Sequence, residues 1–190
     1  MDVFSILING TVLVWVVAEV VMQRRQFLMG SRAVRTEWRS LGAIALCIVL
    51  GEALAVIARS AFPGADFDMG GPLLTLSLVL LWAGVGFRLW AIHSLGRFFR
   101  GVVHIQADHQ VVTEGPYRVL RHPSYTGALV AALALALTFG NPVSLVLMFG
   151  GALVGVLYRI RVEEQVLNTA LGDAYSSYSA RTSRLVPGVW

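Results

Sequence analysis

The chain of 190 residues contains no lysine and a single cysteine, Cys47. One cysteine excludes an internal disulfide framework and a cysteine-based metal site. Cys47 lies in the middle of an apolar run, where it reads as a small packed hydrophobe. Charge is also scarce: 14% of the residues are charged, against about 25% in an ordinary soluble domain. The four histidines, His93, His104, His109 and His122, lack a tight ligand spacing with carboxylates, so no metal is expected. No G-x-G-x-x-G follows a strand and no G-x-S-x-G is present, which argues against a Rossmann-type nucleotide fold and an α/β-hydrolase. What the chain has in excess is apolar surface, 56% of its residues. That composition places it among integral membrane proteins.

Four stretches are apolar enough to cross or re-enter a bilayer, which takes about 20 residues per helix. They are Val3 to Met22, Leu41 to Phe62, Pro72 to Leu95, and Pro123 to Tyr158. No basic residue precedes the first, so it reads as a retained helix rather than a signal peptide. The fourth is too long for one span, and Gly140-Asn141-Pro142 interrupts it with turn-forming residues. It splits into Pro123–Phe139 and Val143–Tyr158, a tight helical hairpin with slightly short arms. The expected fold is therefore all-α: an integral membrane bundle of about five transmembrane helices, one domain over 1–190, with the hairpin in its C-terminal half.

The basic residues are all arginine, and 13 of the 15 fall in three segments: 23–40, 96–125 and the tail from Arg159. The opposite loop, Pro63 to Gly71, holds Asp66 and Asp68 and no arginine. The positive-inside rule then puts the arginine-rich side in the cytoplasm, the N-terminus outside and the C-terminus inside. The net charge of +4 suits anionic headgroups rather than nucleic acid. Gly151-x-x-x-Gly155 should admit a closely packed helix, and Gly42, Gly51, Gly84 and Gly86 could do the same. Glu19, Glu52, Arg59 and Arg88 fall in or near apolar runs, where charge is costly. The two arginines are close enough to helix ends to snorkel. Glu52 suggests a partner inside the bundle or a place at a cavity.

Two segments on the arginine-rich side exceed what a membrane turn needs: the connection from Gly96 to Ser124 and the tail after Tyr158. Long ordered connections tend to be functional. The first ends in Gly115-Pro116-Tyr117-Arg118-Val119-Leu120-Arg121-His122-Pro123-Ser124-Tyr125. Pro123 suits the first position of a helix, which puts His122 at a helix N-terminus at the membrane surface, where free N–H groups favour an anion. By composition alone this is equally an aromatic, basic interface collar. The tail opens with Arg159-Ile160-Arg161-Val162-Glu163-Glu164. On a continuing helix Arg159 and Glu163 share a face and can pair. They could also serve as an arginine for a substrate carboxylate and an acid for a ribose or a cation.

GPYRVLRHPSYTG, followed by Asn141-Pro142 and RIRVEE, resembles the isoprenylcysteine carboxyl methyltransferase family, related to the phospholipid N-methyltransferases. LGRFFRGVVHIQADHQVV before it and Gly-Asp-x-Tyr-x-x-Tyr in the tail fit as well, so the resemblance runs from about Leu95 to the C-terminus. It implies a multi-span enzyme with S-adenosylmethionine in a cytoplasmic pocket built from 96–190, beside three N-terminal helices over 1–95. It places cofactor contacts at Gln106, His109, Gln110, Val111, Val112, Tyr117, His122, Pro123, Ser124, Tyr125 and Glu163. It gives Arg159 to the substrate carboxylate. Gln110-Val111 departs from the Thr-Leu common after the histidine in the family.

The implied reaction is methyl transfer from S-adenosylmethionine to a lipid-like or prenylated acceptor. An isoprenylcysteine carboxylate is the leading candidate, with Arg159 and His122 as the residues nearest the chemistry. A carboxylate, which ordinarily titrates at about pH 4, needs no base. A phenolic lipid, titrating at about pH 10, would need one, with His122 or Glu163 as first suspects. O-methylation of such a phenol, or N- or S-methylation of another apolar acceptor, is the alternative. A non-catalytic transporter or assembly factor is the rival of another class, although transporters often show paired repeats with broken helices, and only one break is present here.

Overall fold

The computed structural model describes residues 3–29, 33–98, 103–106 and 110–190. Its helices are α1 (Val3–Met29), α2 (Arg39–Ala61), α3 (Gly71–Leu95), α4 (Pro123–Leu137), α5 (Pro142–Leu171) and α6 (Asp173–Ser179). A two-stranded antiparallel ribbon joins β1 (Ala33–Glu37) to β2 (Val103–Gln106). A segment surrounded by hydrocarbon must satisfy its own backbone groups, and helices do so. Four of them, α1, α2, α3 and α5, are long and apolar enough to cross a membrane. α4 has 15 residues, about 22 Å, and forms the short arm of the hairpin.

Two helix ends depart from the sequence expectation. α1 runs past Met22 to Met29, and α5 does not stop at Tyr158 but reaches Leu171. Nothing between Arg159 and Leu171 breaks a helix until Gly172, whose φ of +52° ends it. RIRVEE therefore rides on α5 itself, the continuing helix on which Arg159 and Glu163 share a face. The ribbon was not anticipated. It pairs the α1–α2 connection with the α3–α4 connection on the arginine-rich end, with Ala33 opposite Gln106 and Glu37 opposite Val103.

The helices pack in the order α1, α3, α4, α5, α2 around the bundle. Glycine sets the two closest crossings. A Cβ on Gly84 would lie 2.6 Å from the Ala131 nitrogen and 2.7 Å from the Gly127 oxygen, so α3 and α4 meet backbone to backbone. A Cβ on Gly151 would lie 2.6 Å from the Cys47 oxygen, and one on Gly155 3.1 Å from the Cys47 Cβ, which joins α5 to α2. Gly51 belongs to this crossing as well. Gly42 and Gly86 do not take part: a Cβ on either would meet nothing within 4 Å.

The hairpin turn is anchored from across the bundle. Asn141 is fully buried; its Oδ1 accepts from the N–H groups of Val143 and Ser144 at 3.0 and 3.1 Å, capping α5. Its Nδ2 donates to the Phe62 carbonyl at 3.0 Å and to Asp66 Oδ1 at 2.7 Å. The α4–α5 turn is thus tied to the acidic loop between α2 and α3. Arg59 sits 3.9 Å from Asp66 at the same exposed end. Glu52 is neither inside the bundle nor at its cavity: it is exposed on the outer face of α2.

Candidate active site

At the arginine-rich end the bundle encloses a cavity of about 500 Å³, within the range of small-molecule sites. α2, α4 and α5 each give it one stripe of side chains, and α1 and α3 form its other flank. Its outer part is polar, built by Gln110, Tyr117, Ser124, Tyr125, Arg159 and Glu163. Its inner part is an apolar slot lined by Ile44, Ile48, Ala132, Leu135, Met148 and Ala152. Along α5 the slot extends from Arg159 to Met148, eleven residues or about 16 Å.

Arg159 stands where the two parts join and is 3% exposed. Its Nη1 donates to Ser40 Oγ at the start of α2, and its Nε donates to the Tyr125 hydroxyl at 3.1 Å. The same hydroxyl donates to Glu163 Oε2 at 2.8 Å. Arg159 and Glu163 do share a face of α5, and Tyr125, from the first turn of α4, links them.

The adjacent carboxylate, Glu164, points the other way and gathers three basic groups. Its oxygens accept from Arg121 Nε at 2.9 Å and from Arg184 Nε and Nη2, each at 2.9 Å, with His122 Nε2 at 3.3 Å. Backbone pairing reinforces this junction. The Arg121 N–H donates to the Ser183 carbonyl at 2.7 Å, His122 N–H to Arg184 O at 3.1 Å, and Ser183 N–H to Val119 O at 2.9 Å. The tail therefore clamps the turn before α4 and fixes His122, whose buried ring stacks on Tyr125 with centroids 5.7 Å apart. Tyr178 of α6 completes the clamp by donating to the Tyr117 carbonyl at 2.9 Å. Burial pushes the Tyr178 phenol up to about 12, and burial with the Glu163 charge holds Tyr117 above its ordinary value. Both phenols stay neutral at physiological pH, so neither is poised to act as a base.

A second polar cluster closes the far wall. Arg88 does not snorkel to a helix end: its Nε donates to Glu19 Oε2 at 2.9 Å and its Nη2 to Glu19 Oε1. Trp15 Nε1 and Gln23 Nε2 also donate to Glu19, at 2.9 and 3.2 Å. Arg88 Nη1 donates to the Ser124 carbonyl at 3.1 Å, which ties α1 and α3 to the start of α4. A charge pair at this depth persists because each partner has the other and additional hydrogen bonds.

A family model described as the isoprenylcysteine carboxyl methyltransferase (ICMT) family matches residues 76–169. The protein-S-isoprenylcysteine O-methyltransferase B of Arabidopsis thaliana is 32% identical over 149 residues, covering 77% of this chain and 74% of that one. The chain belongs to the isoprenylcysteine carboxyl methyltransferase family. The protein-S-isoprenylcysteine O-methyltransferase of Schizosaccharomyces pombe is 33% identical over 115 residues, 60% of this chain and 49% of that one. A solved structure of the eukaryotic intramembrane Ras methyltransferase ICMT superposes with a TM-score of 0.60 at 25% identity, covering 76% of this chain and 52% of that one. This chain thus spans about half the length of that structure. It is an integral membrane methyltransferase, and the transporter alternative falls away. The matched region takes in Arg88 but not α1, so the Glu19 side of the far wall lies outside it.

Most of the residues that the family resemblance nominates converge on this one cavity: Gln110, Val111, Val112, Tyr117, His122, Ser124, Tyr125, Arg159 and Glu163 all line it. Pro123 is buried at the first position of α4 behind the wall. Gln106 ends β2, where only its backbone is described, and His109 lies outside the described residues. The donor set suits S-adenosylmethionine: a carboxylate and hydroxyls for a ribose and a cationic sulfur, aromatic faces, and an enclosed volume of the right order. Glu164, Arg184, Glu19, Arg88 and Tyr175 escaped the sequence reading as site residues. The signals available were the doubled Glu163-Glu164 and the two charges inside apolar runs.

Proposed function

We propose that this methyltransferase moves a methyl group from S-adenosylmethionine to the carboxylate of an isoprenylcysteine-type acceptor. The observation that carries this reading is Arg159: a buried guanidinium at the junction of a polar chamber and an apolar slot about 16 Å deep. A lipid tail fits the slot and brings an acceptor anion to Arg159. The relatives named for isoprenylcysteine methylation point to the same acceptor.

The segment 110–112, Tyr117, the His122–Tyr125 turn and Glu163 would hold the cofactor. S-adenosylmethionine, when bound, supplies a methyl already activated by its positively charged sulfur. Arg159 orients the acceptor carboxylate, which titrates at about pH 4 and is ionised at neutral pH. No general base is then required of His122, whose Nε2 faces Glu164. Enclosure and orientation by these residues are the chain's contribution to rate. Transfer of labelled methyl from S-adenosylmethionine to a prenylated cysteine acceptor in liposomes tests the proposal. Folded protein that incorporates no label would contradict it.

The proposal includes sidedness: the site faces the cytoplasm and the N-terminus faces out. The arginine-rich segments, all at the site's end of the bundle, support this. A single cysteine introduced at Ser31 in a Cys47→Ser background should react with an impermeant reagent only from the cytoplasmic side. Reaction only from outside would reverse the orientation.

A further inference from the structure

α6 places two tyrosines, Tyr175 and Tyr178, three residues apart on one face against the cavity, with ring centroids 5.9 Å apart. Their hydroxyls have opposite fates. Tyr178 donates to the Tyr117 carbonyl at 2.9 Å and lies 3.3 Å from the Leu120 carbonyl. Tyr175 is 4% exposed, and its hydroxyl is sealed from solvent with no hydrogen-bond partner among the described residues. A buried hydroxyl without a partner is costly and rare in native proteins. Tyr175 lines the same cavity as Glu163 and Tyr117 while its hydroxyl is sealed behind that wall, so an occupant that turns the ring edge toward the cavity is the natural source of the missing partner.

We infer that Tyr175 is a cofactor-binding residue whose hydroxyl hydrogen-bonds S-adenosylmethionine beside Glu163. The inference rests on the reading that this cavity takes S-adenosylmethionine. It gives α6 a direct part in the site, beyond the clamping role of Tyr178. It also makes the orphan hydroxyl a feature of the free protein that binding removes, so part of the affinity comes from satisfying a group already desolvated.

The test compares Tyr175→Phe and Tyr178→Phe in the full chain, by thermal unfolding with and without S-adenosylmethionine and by calorimetric titration. Tyr175→Phe removes only an unsatisfied hydroxyl. The free variant should unfold at or above the wild-type midpoint, yet bind S-adenosylmethionine about three- to tenfold more weakly, as expected for one neutral hydrogen bond. Tyr178→Phe should lower the midpoint of the free protein, because the Tyr117 carbonyl loses its donor. Wild-type affinity in Tyr175→Phe would overturn the inference. So would a free Tyr175→Phe that misfolds or melts as early as Tyr178→Phe, since its hydroxyl would then already be satisfied. Wild-type protein that folds but binds no S-adenosylmethionine would overturn the cofactor reading itself, and this inference with it.

Discussion

Arg159→Ala is expected to cut methyl transfer by about ten- to a hundredfold or more while leaving S-adenosylmethionine affinity within a few-fold. Glu163→Ala is expected to weaken S-adenosylmethionine binding itself by about ten- to a hundredfold. Both magnitudes follow from the loss of one charge-assisted hydrogen bond, worth about 1.5–3 kcal/mol. The residues separate in this way because Arg159 stands where the polar chamber meets the apolar slot and Glu163 lies one turn further into the chamber, although both bond the Tyr125 hydroxyl. That shared partner couples them, so the double variant and Tyr125→Phe are needed to apportion the effects. Isothermal titration and steady-state kinetics on the same preparations give both readouts. An equal loss of cofactor affinity in the two single variants would place Arg159 in the cofactor site and leave the acceptor without its anchor.

Glu164→Ala should destabilise the protein by about 3 kcal/mol, the lower end of the cost of removing one partner from a buried ion pair. The low end applies because the cluster is not uniformly buried: the side chains of Glu164 and Arg121 are 13% and 10% exposed, but Arg184 is 35% exposed. The loss should not be confined to stability. Without Glu164, Arg121 and Arg184 face each other across the junction, and the tail strand at Ser183 loses its electrostatic hold on the turn before His122. Cofactor binding should fall, and proteolysis should nick the tail between α6 and Trp190 first. Thermal unfolding in detergent and limited proteolysis measure the two effects. An unchanged midpoint with an uncleaved tail would mean that backbone pairing and Tyr178 alone hold the clamp.

The helices and the turn were legible because their signals are local. Apolar length marks α1, α2, α3 and α5, and Gly140-Asn141-Pro142 marks the hairpin without any knowledge of what it packs against. The glycine crossings were half legible: Gly84 and Gly86 are equivalent in sequence, and only the approach of α4 separates them. The same limit applies to charge. Glu19 and Arg88 each stood out in an apolar run, but they are 69 residues apart, and nothing local tells a snorkelling arginine from one with a buried partner. Glu52 looked alike in sequence and lies exposed. Glu163 and Glu164 are adjacent, so the helix turns one toward Tyr125 and the other toward the tail. The family motif nominated the first, while the second has its role through Arg184, which reaches it only after the chain reverses at α6. The ribbon of β1 and β2 went unread because its strands are only five and four residues long, too short for the alternation of Val103-His104-Ile105-Gln106 to stand out.

The central claim is carboxyl methylation, and the chemistry of the new bond tests it most directly. Protein reconstituted in liposomes with the prenylated cysteine acceptor and methyl-labelled S-adenosylmethionine should give a lipid-extractable labelled product. Mild alkali should then release the label quantitatively as methanol, because a methyl ester saponifies. Label that stays on the lipid through the same treatment would identify an ether, amine or thioether product, and would contradict the assignment of Arg159 to an acceptor carboxylate.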